Sequence, residues 1–194
     1  MKVLERSTKD INTYINYIHH FGNLSIGEKN TFTDNAIENI FKLANLSNVN
    51  QFTTEEDVVN NMDKLASSHH IHLYFYDGHS EWNTMGGQIN IFINNTNTIE
   101  RQWEDFGFMF SNIVIFFNRK VKDVQDFDLT KDSATLAHLI CVPSFIIKQI
   151  KELNNADEKV VIEFIKSQFK VSHSFAEKSY ALIYNKIPSY QPLH

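Results

Sequence analysis

The sequence predicts an α+β fold, on three observations. Apolar residues near the start recur at three- and four-residue steps: Ile11, Tyr14, Ile15 and Ile18 share one helical face. In the middle the period drops to two, where INIFINN sets Ile89, Ile91 and Ile93 on one side and Asn90 and Phe92 on the other. From residue 99 onward the helical spacing returns and holds through the second half.

Each element has a local reason. After the loop FGNLSIGEKN, Asp34 is placed to cap a helix over 34–44 whose stripe is Ile37, Ile40, Phe41 and Ala44. TTEED, with Thr54 and Asp57 at capping-box spacing, opens a helix that runs to Ala66. IHLYFYDG (71–78) is rich in β-formers and ends in the turn signal Asp77-Gly78. A second strand lies within 85–95, begun by Gly86-Gly87 and ended by Asn94-Asn95. The pair is expected to form a small antiparallel sheet, marginal on two strands alone. Helices are then expected at 99–117, at 131–140 stopping before Pro143, at 144–153, at 156–168 and at 173–185. The tail after Pro188 is expected to be loosely ordered. Residues 1–68 thus read as an N-terminal helical region, 69–187 as the main domain joined to it in one compact unit, and 188–194 as a tail.

Composition narrows the class. A chain of 194 residues, 42% hydrophobic, can bury a core of its own, and 21% charged with few Pro and Gly argues against disorder. A net charge of −5 does not recommend the molecule to nucleic acid or anionic lipid. The single cysteine, Cys141, excludes an internal disulfide and, between Ile140 and Val142, reads as a buried thiol in a reducing setting. No signal-like start and no bilayer-length apolar run is apparent, so a soluble, cytoplasmic protein is expected.

Around the second strand the likeness to a known family becomes specific. INIFINN, then RQWEDFG, and later SATLAHLICVPSFII, resemble the ImmA/IrrE family of phage- and mobile-element metallopeptidases. In that family a strand ending in Asn leads into a helix bearing HExxH, and a following helix carries ExxAxxFAxxxxxP. Trp103, Glu104, Asp105, Phe106 and Gly107 match the run before HExxH. Leu136, Ala137, Cys141, Val142 and Pro143, followed by Ser144 and Phe145, match the end of the second pattern. FIKSQFKVSHSFAEKSYALI resembles the closing segment, an F-x-V-S turn between two helices. The likeness spans 70–187.

The chemistry departs from the family. A zinc peptidase needs two His at i and i+4 on one helical face, a Glu as general base and a third ligand from the next helix. Aligning HExxH after Phe106-Gly107 puts Phe108, Met109 and Asn112 at those positions. The first Glu of the second pattern falls on Thr130, with Asp132 two residues on. Neither His, base nor third ligand is present, so the resemblance implies a pseudopeptidase whose metal pocket is filled by apolar side chains.

Other constellations carry a bland reading beside the functional one. His69, His70 and His72, with His79 nearby, could gather three nitrogens, yet no acidic residue or Cys stands at ligand spacing, and a surface or capping role is the alternative. His19-His20 suits a helix C-terminus. Cys141 has His138 three residues before it, but an apolar setting keeps a thiol inert. Glu104 and Asp105 are adjacent, so they diverge by about a hundred degrees on a helix and make no acid/base pair; a solvated turn is the expectation. The helix pair 156–168 and 173–185 has the order of a helix-turn-helix, capped at Ser172. With Lys178 as its main cation it suits packing or protein docking better than phosphate contact. Tyr180 and Tyr184 at i and i+4 could anchor such a surface or sit in the core.

Together these imply a non-catalytic regulatory binding protein that needs no cofactor. Active family members relieve repression by acting on repressor proteins. A member without zinc ligands is expected to engage a helix-turn-helix repressor without cutting it. The expected contact is a groove beside Phe108, Met109 and Asn112, edged by the strand 88–94 with Ile91, where an extended segment could add to the sheet. The alternatives are an inhibitor of a host defence nuclease, a peptidase with its metal relocated to His69, His70 and His72, and a direct DNA-binding regulator.

Overall fold

The computed structural model describes residues 37–121, 129–153 and 156–184. The helix at 11–18, His19-His20, the cap at Asp34 and the tail after Pro188 lie outside them. The first described helix, α1, covers 37–43 and buries Ile37, Ile40 and Phe41 on the face that its spacing requires. A 3-10 turn at Val49–Phe52 follows, held by a capping box between Asn48 and Gln51.

Helix α2 (Glu55–Ser68) starts at Thr54. Its hydroxyl accepts from the Asp57 N–H, while the Asp57 carboxylate accepts from the Thr54 N–H. The reciprocal bonds satisfy orphan donors of the first turn, and Asp57 is held below its usual carboxylate range chiefly by the Thr54 side chain. Val58, Met62 and Leu65 form the buried stripe.

The sheet has three strands, one more than the pattern predicts: β1 (Ile71–Tyr76), β2 (Glu81–Met85) and β3 (Gln88–Asn94), in the order β1-β3-β2. It is mixed rather than antiparallel. β3 pairs parallel with β1, Ile71 opposite Ile89 through Tyr76 opposite Asn94, and antiparallel with β2, Glu81 opposite Phe92. Gly86-Gly87 does not begin a strand but makes the two-residue hairpin turn between β2 and β3. Both residues have positive φ (61° and 80°), the geometry whose twist suits a tight hairpin. The chain therefore leaves β1, runs back along β2, turns and inserts β3 in the centre. An Asn95 N–H donating to the Tyr76 carbonyl closes that end at 2.9 Å.

Ile89, Ile91 and Ile93 line the inner face against α3 (Ile99–Val121), while α2 packs on β1. Helix α4 (Leu129–Cys141) lies along α3 and stops before Pro143. Beyond Pro143 the predicted long helix is only one turn, α5 (Ser144–Ile147), and a 3-10 turn at Lys151–Leu153. Then α6 (Glu158–Phe169) and α7 (His173–Ile183) close the domain. Lys170, in the left-handed region at φ 51°, ends α6. Ser172 caps α7 by accepting from the Phe175 N–H.

Aromatic rings knit the layers together. Trp103 stacks on Phe106 with centroids 5.6 Å apart, Phe52 reaches both Trp103 (6.5 Å) and Phe169 (5.2 Å), and Phe41 touches Phe52 and Phe145. Each buried ring of this kind contributes about 1.5–3 kcal/mol.

The tightest junction is between α3 and α4. The Trp103 indole N–H donates to the Cys141 carbonyl (3.2 Å), and the Cys141 thiol donates back to the Trp103 carbonyl (3.3 Å). A Cβ on Gly107 would collide with the Cys141 Sγ and stand 3.3 Å from the Ala137 carbonyl oxygen. Gly107→Ala is therefore expected to cost about 1–3 kcal/mol by overpacking. Cys141→Ala in that background should recover part of it, a positive coupling that a denaturant-unfolding double-mutant cycle reads directly.

Candidate functional site

The sequence pointed to α3, and its exposure pattern locates the site. Between Trp103 and Phe116 all residues are buried except Phe108, Met109, Asn112, Val114 and Phe116, which are half-buried. Positions 105, 109, 112 and 116 fall at steps of four, three and four, so they form one stripe, with Phe108 on its flank and Val114 on the far side. Two contacts fix what lies over that stripe. The Ser80 hydroxyl, just ahead of β2, donates to Asp105 Oδ2 at 2.6 Å, and the Trp82 ring of β2 meets Phe116 edge-on at 5.1 Å. Met109 and Asn112 lie between these two anchor points on the same helical face. On the other flank Phe108 meets Phe175 of α7, centroids 6.4 Å apart.

The positions aligned with HExxH therefore form a half-open apolar floor between β2 and α7, not a fully filled pocket. Phe110, one turn from Phe106, is buried on another side and meets His69 edge-on. Thr130 sits in the first turn of α4. Phe108 and Met109 offer no donor to a zinc ion and Asn112 offers a weak neutral one, so these residues do not fit the metal of the family they resemble. Among the described residues no three His, Cys, Asp or Glu side chains converge on a point that could hold a metal.

The histidine cluster is dispersed. His69 is buried as the C-cap of α2, its Nδ1 within 2.9 Å of both the Leu65 carbonyl and the Ser68 hydroxyl. His70 is an exposed turn residue at φ 57°, ahead of the strand, so it does not share a strand face with His72. His72 lies exposed on the outer face of β1, stacked beside Tyr74.

Burial and pairing bear on two of the expected partner contacts, Ile91 and Tyr180. Ile91 is 0% exposed on the inner face, and β3 is the central strand, paired on both sides, so it offers no edge to an added segment. Among the described strands the edge beside the apolar floor belongs to β2. Tyr180, 6% exposed, is a core residue stacked on half-buried Tyr184 at 4.7 Å. Burial, and then Tyr180, raise the Tyr184 phenol above its usual range.

Glu104 and Asp105 are not a solvated turn. Glu104 Oε1 accepts from the Ser172 N–H at 2.6 Å, tying α3 to the start of α7. Asp105 accepts from Ser80, from the Asn97 amide (3.3 Å) and from Arg101 (2.9 Å), joining both loops at that end of the sheet to α3. The two carboxylates diverge as helix geometry demands, and both are consumed by structure. Cys141 is wholly buried, its thiol pushed well above its ordinary range by burial and then by Glu104. His138 bonds to Ser179 (Nδ1···Oγ 3.0 Å) rather than to the thiol. That Ser/His pair is itself buried, with the His138 and Phe175 rings in contact at 3.9 Å, and it offers no surface to a substrate.

Sequence reasoning missed β2 and the buried carboxylates. The first had a signal, Gly86-Gly87 between EWNTM and QINIF, which is a hairpin pattern. The second had only Arg101 four residues before Asp105; the Glu104 contact to Ser172 spans 68 residues and has no local trace. No family model, no curated protein and no solved structure matches this chain.

Two changes separate structural from functional polar groups here. Glu104→Ala removes a charged acceptor from a buried N–H and should cost about 1.5–3 kcal/mol in chemical denaturation. The Ser111 hydroxyl is fully buried on α3 with no hydrogen-bond partner among the described residues, so Ser111→Ala should be neutral or stabilise by up to about 1 kcal/mol.

Proposed function

We propose that this chain is a non-catalytic, cytoplasmic regulatory binding protein of the ImmA/IrrE type, which engages a helix-turn-helix repressor without cleaving it. The reading is carried by one observation. The helix positions aligned with HExxH form a half-open strip of Phe108, Met109 and Asn112 beside the edge of β2. Such a strip supplies apolar contact and one amide, and an edge strand supplies unpaired backbone donors and acceptors. That combination suits an extended protein segment added alongside β2 with alternate side chains on the strip. The order of strand, helix and second helix agrees with the resemblance, as does the Val171-Ser172 turn between α6 and α7. Mobile-element origin follows from that resemblance as part of the same proposal.

The β-strand interface predicted here moves from β3 to β2, and the mutations follow it. In affinity purification from the native host with mass-spectrometric identification, a repressor-type protein should be recovered intact. Met109→Asp and Asn112→Arg should each weaken its capture at least tenfold while leaving the far-ultraviolet circular dichroism unchanged. Undiminished capture by both variants, or recovery of the repressor as fragments, overturns the reading. Recovery of a nuclease in its place favours the defence-inhibitor alternative.

A further inference from the structure

Strand β1 leaves one edge of the sheet open. It pairs with β3 on one side and, among the described residues, with no strand on the other. Proteins restrain such edges with charge, proline, bulges or brevity. IHLYFY carries no charged residue and no proline, and it faces β3 one to one from Ile71 to Tyr76, so no bulge interrupts it. Of the large apolar side chains exposed among the described residues, only Tyr74 and Phe75, at 44% and 38%, are adjacent in sequence. Neighbours on a strand point to opposite faces. Phe75 lies on the inner face with Ile71 and Leu73, opposite Ile93; Tyr74 lies on the outer face, stacked on Phe92 at 5.2 Å. A partner resting on either face would cover one ring and leave the other wet. A strand added at the edge continues both faces and covers both.

We propose that the chain forms a two-fold dimer by pairing β1 antiparallel with β1 of a second copy, Leu73 facing Leu73 across the axis. The strand is self-complementary in that register. A two-fold axis perpendicular to the sheet keeps inner face with inner face, so opposed residues must agree in face. Centred on Leu73, Ile71 meets Phe75 of the second copy on the inner side and His72 meets its Tyr74 on the outer side. That sets apolar on apolar and ring on ring, and the exposed Phe75 lands beside the buried Ile71. The neighbouring registers are worse. Centred on Tyr74, Ile71 would face Asp77 and place a carboxylate against apolar surface. Centred on His72, Phe75 would face His69, which caps α2 and lies ahead of the strand, so Phe75 would gain no ladder partner. Two-fold dimers are the commonest oligomers, and strand addition supplies their backbone bonds without a ligand. The two sheets join into one, with β2 outermost at both ends. The inference stands independently of the partner proposed above, which uses that other edge.

Sedimentation velocity of the purified full chain over a concentration series should show a reversible monomer–dimer equilibrium. Tyr74→Lys and Phe75→Lys, both at exposed positions, should each weaken it at least tenfold with unchanged far-ultraviolet circular dichroism. Cross-linking reads the register. Opposed residues of an antiparallel pair have Cα atoms about 4.5–5.5 Å apart, within disulfide reach, while residues offset diagonally by two stand about 7–8 Å apart. Leu73→Cys should therefore link two chains under mild oxidation and Tyr74→Cys should not. Native Cys141 is wholly buried and does not compete. A link at Tyr74→Cys in place of Leu73→Cys, or dimerisation undiminished by both Lys variants, overturns the proposal. So does a monomeric wild type. In that case β1 amides that all resist exchange would give the edge to another segment of the same chain, and alternate amides that exchange freely would leave it to a different protein.

Discussion

The contact of Gly107 with Cys141 sets the rest of the structure. Helices can approach this closely only where one lacks a Cβ, and here the gap is bridged in both directions by Trp103 and Cys141. Fixing that side of α3 against α4 fixes its rotation. The stripe through 105, 109, 112 and 116 then falls roughly opposite, toward β2, while Phe106, Phe110 and Ile113 turn into the core. The half-open floor is thus a consequence of the glycine. A larger residue there would move the strip along with the helix.

The buried charges argue in the same direction. Two carboxylates on the second turn of a central helix suggest chemistry at first sight, yet each accepts from groups that hold the fold. Hydrogen bonds to charged groups are worth about 1.5–3 kcal/mol each, and leaving a partner unpaired costs more than the bond returns. A residue so engaged is poorly placed to trade protons with a substrate. The half-buried side chains of α3 between Trp103 and Phe116 are aromatic, thioether, aliphatic and amide.

Much of this was legible in the chain. Local signals served well where the physics is local: Thr54 and Asp57 capping α2, Ser172 capping α7, Pro143 ending α4, and the period-two run through Ile89, Ile91 and Ile93. They failed where the decision is made at long range. Nothing in INIFINN says whether its neighbours are parallel or antiparallel, and a hairpin that inserts β3 beside β1 makes the central strand from what reads as an edge. Ile91 and Tyr180 look like surface anchors only while their partners are unknown. Asp105 looks solvated until Ser80, distant in sequence, is brought onto it.

The edge of β2 bears on what kind of partner the floor can accept. Exposed edges invite indiscriminate pairing, and proteins restrain them with short strands and charge. β2 is short and carries Glu81 at one end, but Met85 at the other is 67% exposed and the residues between, Trp82, Asn83 and Thr84, are uncharged. On the proposed function, an edge restrained at one end only, beside an apolar strip, would favour a segment that enters from the Met85 end and pairs toward Glu81. A folded surface would have to bury the Glu81 carboxylate or stand off from it, at a desolvation cost that an extended segment avoids. On the proposed function, strand and strip would select for shape first and for sequence second.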